Sequence, residues 1–338
     1  MPLYGGIDLH ANNSVVVILN EQDQVIYQRR FANHLPTILE PLAPHQADLM
    51  GVVVESTSNW YWLVDGLMEA GYRVHLANPA AMQQYNGLKY TDDHFDARWL
   101  AQVLRLGVLP EGYIYPKAER AVRDLLRKRA HLVRQHTAQI LSVHNLMARN
   151  TGARFSAKRL VEFTPADLQG MLPEAAHVLA VTSSLAVVHC LGQQITTLEK
   201  TVNTCLKPTP AYAQLQTVDG IGTTLAQTIV LETGEIGRFP TVGHYASYCR
   251  CVGSTKISNG KRKGQGNVKN GNPYLEWASR EAAQFAIRFS STVQRFYQRK
   301  QAKSHLMIAR KAVAHKLARA CYDILRDLVP FDVHKAFG

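Results

Sequence analysis

A chain of 338 residues, 46% of them hydrophobic, suffices for two globular units and a helical connector, and its five cysteines (Cys190, Cys205, Cys249, Cys251, Cys321), odd in number and irregular in spacing, argue against a disulfide framework or a four-ligand zinc site. The formal charge of +12 is lopsided: residues 1–248 hold 20 Lys and Arg against 21 Asp and Glu, whereas residues 249–338 hold 18 against 5. So concentrated an excess draws in a polyanion with salt-dependent affinity, which suits DNA or RNA better than a small acidic metabolite; the plainer alternative is a solvated basic surface.

The opening MPLYGGIDLH carries neither a basic leader nor the apolar run of a signal peptide, and no later stretch reads as long enough to span a membrane. A soluble, cytoplasmic protein with no membrane partner is expected. YGGIDLH leads into SVVVILN, EQDQ supplies turn residues and VIYQRRF returns, which predicts a hairpin or meander. Residues 34–46 predict a helix broken by Pro41 and Pro44. DLMGVVVES reads as a buried strand ending at Glu55, NWYWLVDGLMEAG as an amphipathic helix closed at Gly71, and YRVHLAN as a further strand. This order predicts an α/β domain on a mixed sheet over residues 1–112.

Residues 94–106 predict a helix stopped by Gly107 and Pro110. Residues 117–149 read as a long helix, with Val122, Leu125, Leu126, Leu132, Val133, Ile140 and Leu141 at three- and four-residue steps, and residues 117–159 hold 11 basic residues and 2 acidic ones. Such a helix pairs with another, or lies along a phosphate backbone through residues such as Arg127, Lys128 and Arg129, or does both. A second long helix over 174–206 makes residues 113–210 a coiled-coil-like antiparallel connector, a common dimerisation device; an ordinary helical subdomain has the same pattern. Residues 211–338 predict a mainly α region. It opens with helix, VDGIG turn and helix, where Gly220 and Gly222 bring amides to the surface for a phosphate. Residues 237–248 continue as helix after Pro240, residues 249–272 read as an exposed, adaptable loop, and 273–304 and 305–328 as basic amphipathic helices.

Asp8 and Glu55 each end a predicted strand, and Asp93 and Asp96 stand three apart at a helix start. If the strands are neighbours, four carboxylates converge, and like charges held so closely call for a cation. Oxygen-only ligation is what Mg2+ prefers, and two such ions about 4 Å apart can activate an attacking oxygen and stabilise a leaving one on phosphorus. Taken singly, Asp8 reads equally as a turn residue, Asp93 as an N-cap and Asp96 as a solvated charge; Glu55, after GVVV, resists that explanation. His10 and His94 lie near the cluster in sequence and read equally as assistants to a metal or as surface histidines. In the basic loop, Ser254 and Ser258 are flanked by Lys256, Lys261, Arg262 and Lys263, with Lys269 beyond; those cations would stabilise an alkoxide and the charge that builds on a phosphoryl group, although most loop serines do no chemistry.

The strings YGGIDLH, VVVESTSNWYWLVDGLMEAGYRVHLANP and YTDDHFDARWLAQVLR resemble the RuvC-like N-terminal domain of the IS110/IS1111 family of bacterial insertion-sequence transposases. LQTVDGIGTTLAQTIVLETGEIGRFPTVGHYASYCRCV and STKISNGKRKGQGNVKNGNPYLEWA resemble the family's C-terminal transposase domain, particularly the IS1111 branch. The resemblance implies a ribonuclease H-like fold whose Asp-Glu-Asp-Asp tetrad falls on Asp8, Glu55, Asp93 and Asp96, with Asp92 as an extra residue and Mg2+, two ions per composite site, as the cofactor. It implies a serine nucleophile, placed at Ser258 because a serine and glycine precede the basic run in the family pattern; Asn259 intervenes here, which leaves Ser254 in reserve. It further implies double-stranded DNA partners (element ends and target), a non-coding guide RNA that selects sites by pairing while the protein reads shape and backbone, and a homo-oligomer, a dimer or a tetramer of dimers. In a bacterial cytoplasm such a protein would join the nucleoid when acting. A recombinase needs both Ser258 and the tetrad, a Holliday-junction nuclease the tetrad alone, and a purely structural binder neither.

Overall fold

A computed structural model of the chain describes residues 1–82, 92–206, 208–264 and 270–338. It divides into two compact units, Met1–Lys117 with Ser254–Asn270, and Ala118–Gly253 with Gly271–Gly338.

The first unit is built on a five-stranded mixed sheet. Strands β1 (Leu3–Leu9), β2 (Asn13–Asn20) and β3 (Val25–Ala32) form the antiparallel meander that the sequence predicts. After α1 (Leu35–Leu42), β4 (Leu49–Glu55) pairs parallel to β1; α2 (Tyr61–Glu69) crosses over to β5 (Val74–Ala77), parallel to β4, and α3 (Asp93–Arg105) follows. The strand order is therefore β3-β2-β1-β4-β5. The run VVVIL (residues 15–19) is apolar throughout because both faces of β2 are covered: Val16 and Ile18 pack with α1 and α2, while Val15, Val17 and Leu19 pack with Ala97 and Ala101 of α3.

The second unit is helical. Helices α4 (Lys117–Thr151) and α7 (Ala175–Cys205) run antiparallel, since Leu126 shares a cluster with Val202, and Ile140, Val143 and Met147 share one with Val181, Leu185 and Val188. Between them, α5 (Ala157–Val161) and α6 (Pro165–Met171) close the far end through Leu160, Phe163 and Leu168. The stripe on α4 is only partly covered, because different partners meet it near its two ends: Leu126 and Ile140 are buried, Leu141 is 56% exposed. Leu179 and Val187 of α7 are exposed too. This helix corrects one expectation, for its most apolar stretch has a mean hydropathy of 1.6 and only 17% of that stretch is buried, so by length and composition it could cross a membrane.

The rest of this unit packs α8 (Pro210–Leu215), α9 (Thr223–Thr233) and α10 (Val242–Tyr248) around α11 (Pro273–Phe289), α12 (Ser291–Gln301), α13 (Leu306–Asp327) and α14 (Val333–Phe337). The sequence predicts one helix over 273–304, whereas the backbone turns extended at Ser290 and restarts as α12. A second correction concerns residues 249–272. Within the expected loop, β6 (Lys256–Ser258) and β7 (Lys261–Gly264) form an antiparallel ribbon around Asn259 and Gly260, both at positive φ (50° and 67°), as a tight two-residue hairpin turn requires. Within the helical unit the Asn272 N–H donates to the Tyr248 carbonyl at 2.6 Å.

Candidate metal centre and nucleic-acid interface

Asp8 and Glu55 come from neighbouring parallel strands, each one step beyond the paired residues Ile7 and Val54. Helix α3 brings the other two carboxylates. It lies directly on β1 because residue 6 is glycine: a Cβ there would sit 2.0 Å from the Ala97 carbonyl oxygen and 2.7 Å from the Ala101 nitrogen. The N-cap is Asp92, whose Oδ1 accepts the Phe95 N–H at 2.8 Å, so the additional aspartate has a structural task and Asp93 and Asp96 occupy the first helical turn.

The cluster is electrostatically strained. Burial raises the Asp8 carboxyl, assisted by the charges of Asp96 and Asp93 and opposed by His10 and a hydrogen bond with Glu55. Burial also pushes Glu55 up to about 7, with its hydrogen bond to Asp8 and the charges of Asp8 and Asp96 adding to the effect. Asp93 moves the other way, held low chiefly by Arg30, whose guanidinium meets Asp93 Oδ2 at 2.5 Å. Asp8 is 1% exposed, and its Oδ2 has no hydrogen-bond partner. His10 Nε2 is 3.0 Å from that oxygen and 3.3 Å from Asp93 Oδ1, close but misaligned for hydrogen bonding. A buried oxygen with no aligned hydrogen bond, beside acidic neighbours whose charges raise Asp8 and Glu55, fits a divalent cation. Glu55 and Asp96 also line a recess of about 190 Å3 with Pro79, Met82 and Leu100.

The basic loop residues lie on the ribbon. Ser258 ends β6, exposed and in register with Lys261, while Ser254 is half-buried just before the ribbon. Lys261, Arg262 and Lys263 are exposed along β7; the Lys256 side chain and the whole of Lys269 lie outside the described residues. The segment Ser254–Asn270 groups with the carboxylate-bearing unit, where Asn78 Nδ2 donates to Asn270 Oδ1 at 3.4 Å.

Two family models match the chain. One, described as DEDD_Tnp_IS110, transposase, takes in residues 5–150; the other, described as transposase of the IS116/IS110/IS902 family, takes in residues 212–298. The chain belongs to the IS110 family of transposases. The "Insertion element IS110 uncharacterized 43.6 kDa protein" of Streptomyces coelicolor is 29% identical to this IS110-family chain over 153 residues, 44% of the chain and 36% of that protein. The chain therefore matches only about a third of that relative's length. The mixed sheet with its carboxylates is the ribonuclease H-like domain of this family, and the C-terminal region is mostly helical.

Other residues expected to meet nucleic acid are placed differently. Arg127 grips buried Glu232 with two hydrogen bonds (2.6 and 2.7 Å) and lies over the Tyr274 ring, and Arg129 is bound to Glu199 at 2.6 and 2.8 Å. Both guanidiniums thus serve packing within the helical unit, and of the trio only Lys128 is exposed. Gly220 is needed for its φ of +100° and for the approach of α11, since a Cβ would meet the Ala282 carbonyl oxygen at 2.7 Å; Gly222, the N-cap of α9, faces open space. Sequence reading left His10 unassigned and missed Arg30. His10 could have been flagged by its position two residues after Asp8, but Arg30 reaches the site only through strand pairing, opposite Val15 of β2.

Proposed function

We propose that this chain is a DNA recombinase of an insertion sequence, which cleaves and rejoins strands through a serine ester with the help of divalent metal ions. The observation that carries the reading is the convergence of Asp8 and Glu55, from adjacent strand ends, with the first turn of α3 around a buried, unpartnered carboxylate oxygen. Asp8, Glu55, Asp93 and Asp96 would hold Mg2+, two ions per composite site, which would supply charge neutralisation and Lewis acidity at the scissile phosphate.

The chain's own groups account for the rest. Ser258 Oγ would form a bond to phosphorus as the bond from phosphorus to the leaving nucleoside oxygen breaks, the serine proton passing to that oxygen. The phosphodiester energy is kept in the protein-DNA ester, so attack by another strand's hydroxyl reverses the step and frees the serine. Lys256, Lys261, Arg262, Lys263 and Lys269 would hold the flanking backbone, with Lys128 and the open N-terminus at Gly222 as further contacts. Recognition of element ends and target through a non-coding guide RNA, assembly through the helical arm as a dimer or a tetramer of dimers, and action on the bacterial nucleoid rest on the family resemblance.

The test is a denaturing gel with labelled element DNA, Mg2+ and the element's RNA, followed by peptide mapping. Wild-type protein is expected to form a denaturation-resistant adduct that Ser258→Ala loses and Ser254→Ala retains. Cleavage without any adduct would mean a nuclease, and an adduct mapped to Ser254 would move the nucleophile.

A further inference from the structure

The chemistry above gives His10 no task, yet the fold holds it firmly. Its N–H donates to the Asn13 carbonyl at 2.9 Å, and its own carbonyl accepts from Asn33 Nδ2 at 2.9 Å and from Asn59 Nδ2 at 3.0 Å. Asn33 follows β3 and Asn59 follows β4, so two separate strand ends pin a residue that would otherwise sit in a mobile turn. These bonds hold the main chain of residue 10, and so fix the point from which its imidazole projects.

The imidazole meets the carboxylates through Nε2. Its Nε2 is buried and makes no well-aligned hydrogen bond, although it lies 3.0 Å from Asp8 Oδ2 and 3.3 Å from Asp93 Oδ1. Asp8 Oδ2, on a nearly inaccessible side chain, is unpartnered as well. Arg30 engages Oδ2 of Asp93 and leaves Oδ1 on the histidine side. Ligand atoms of Asp8, His10 and Asp93 can all lie within 4.8 Å of one another. Separations of about 3 Å are those of adjacent ligands around an octahedral ion with bonds of roughly 2.1 Å.

We infer that His10 is a nitrogen ligand to a divalent cation shared with Asp8 and Asp93, and that it biases the site toward Mn2+ over Mg2+. This rests on the reading of the carboxylates as a metal site and adds a donor to it. Mg2+ prefers oxygen and keeps its waters, whereas imidazole suits transition ions, whose affinity for nitrogen-containing sites exceeds that of Mg2+.

Mn2+ binding to the full chain, followed by continuous-wave and pulsed electron paramagnetic resonance, tests it, with Mg2+ affinity read by competition. Bound Mn2+ is expected to show 14N coupling from an imidazole, which His10→Gln removes and His94→Gln retains. The same substitution should weaken Mn2+ on the order of tenfold or more, the scale on which lost support at metal sites acts, and weaken Mg2+ less. Mn2+ that depends on Asp8 (lost in Asp8→Asn) but shows no nitrogen coupling in wild-type protein overturns the role of His10 and leaves the carboxylate site standing. Coupling that survives His10→Gln overturns it equally. Mn2+ binding indifferent to Asp8→Asn removes the metal site itself.

Discussion

Gly6 and Ala97 are in contact so close that no side chain fits between them, a Cβ on residue 6 falling 2.0 Å from the Ala97 carbonyl oxygen. Gly6→Ala must push α3 off β1 and move Asp96 with it. Overpacking of this kind costs roughly 1–3 kcal/mol, so urea unfolding should show that loss together with weakened divalent-cation binding. A variant as stable as wild type would mean that α3 is free to slide.

The raised Glu55 carboxyl makes a signed statement about pH. The folded state holds that proton more tightly than the unfolded chain does, so the contribution is fully present below the ordinary value of 4.5 and is lost as pH rises through about 7. In chelator, Glu55→Gln should match wild type near about pH 5 and exceed its thermal stability near about pH 8. Saturating Mg2+ should reverse that order at the higher pH, and strand cleavage by the variant should fall by about a hundredfold or more, as loss of several kcal/mol of metal assistance implies. Wild type gaining on the variant with rising pH in chelator would contradict the raised pKa.

Arg127 and Glu232 separate a packing role from a phosphate contact. Glu232 is 3% exposed and is held by Arg127 and by Asn272 Nδ2 at 2.7 Å. Removing the guanidinium leaves a buried carboxylate short of its partner, which typically costs about 3–5 kcal/mol. Chemical denaturation of Arg127→Ala should show a loss of that order, and Lys128→Ala almost none. Undiminished stability with weaker DNA binding would restore Arg127 to the nucleic-acid surface.

The exposed basic face of β7 should register in salt dependence. Replacing Lys261, Arg262 and Lys263 together with alanine should shrink the slope of log affinity against log salt by about 2–3, roughly one counterion per lost phosphate contact. DNA titrations at several ionic strengths give the slope, and an unchanged value would make these residues ordinary surface.

The exposed apolar residues of α7 bear on assembly. The wild-type chain is expected to sediment as a dimer or larger, and Leu179→Glu with Val187→Glu to shift it toward monomer, because each places a charge where apolar surface would be buried. A wild-type chain that stays monomeric with and without nucleic acid would rule the arm out as an assembly device.

Much of this is written locally in the sequence. The meander, the strand ending at Glu55 and the two long helices follow from periodicity and from glycine and proline placement, and Asp93 and Asp96 follow from helical spacing. The ribbon was equally legible, since Asn259-Gly260 is a strong hairpin dipeptide, but the composition of residues 249–272 argued for a loop. What no local pattern could reveal are pairings between distant residues. Arg30 with Asp93, Arg127 with Glu232 and Arg129 with Glu199 are set by packing across 63 to 105 positions, so arginines that read as a phosphate-facing stripe turn inward.

The tie between Asn272 and Tyr248 brings together two points 24 positions apart in sequence, and the Asn272 side chain also caps α11 by accepting the Tyr274 and Leu275 N–H groups. One asparagine thus holds both a chain closure and a helix start, so a change at Asn272 would loosen the closure and the first turn of α11 together.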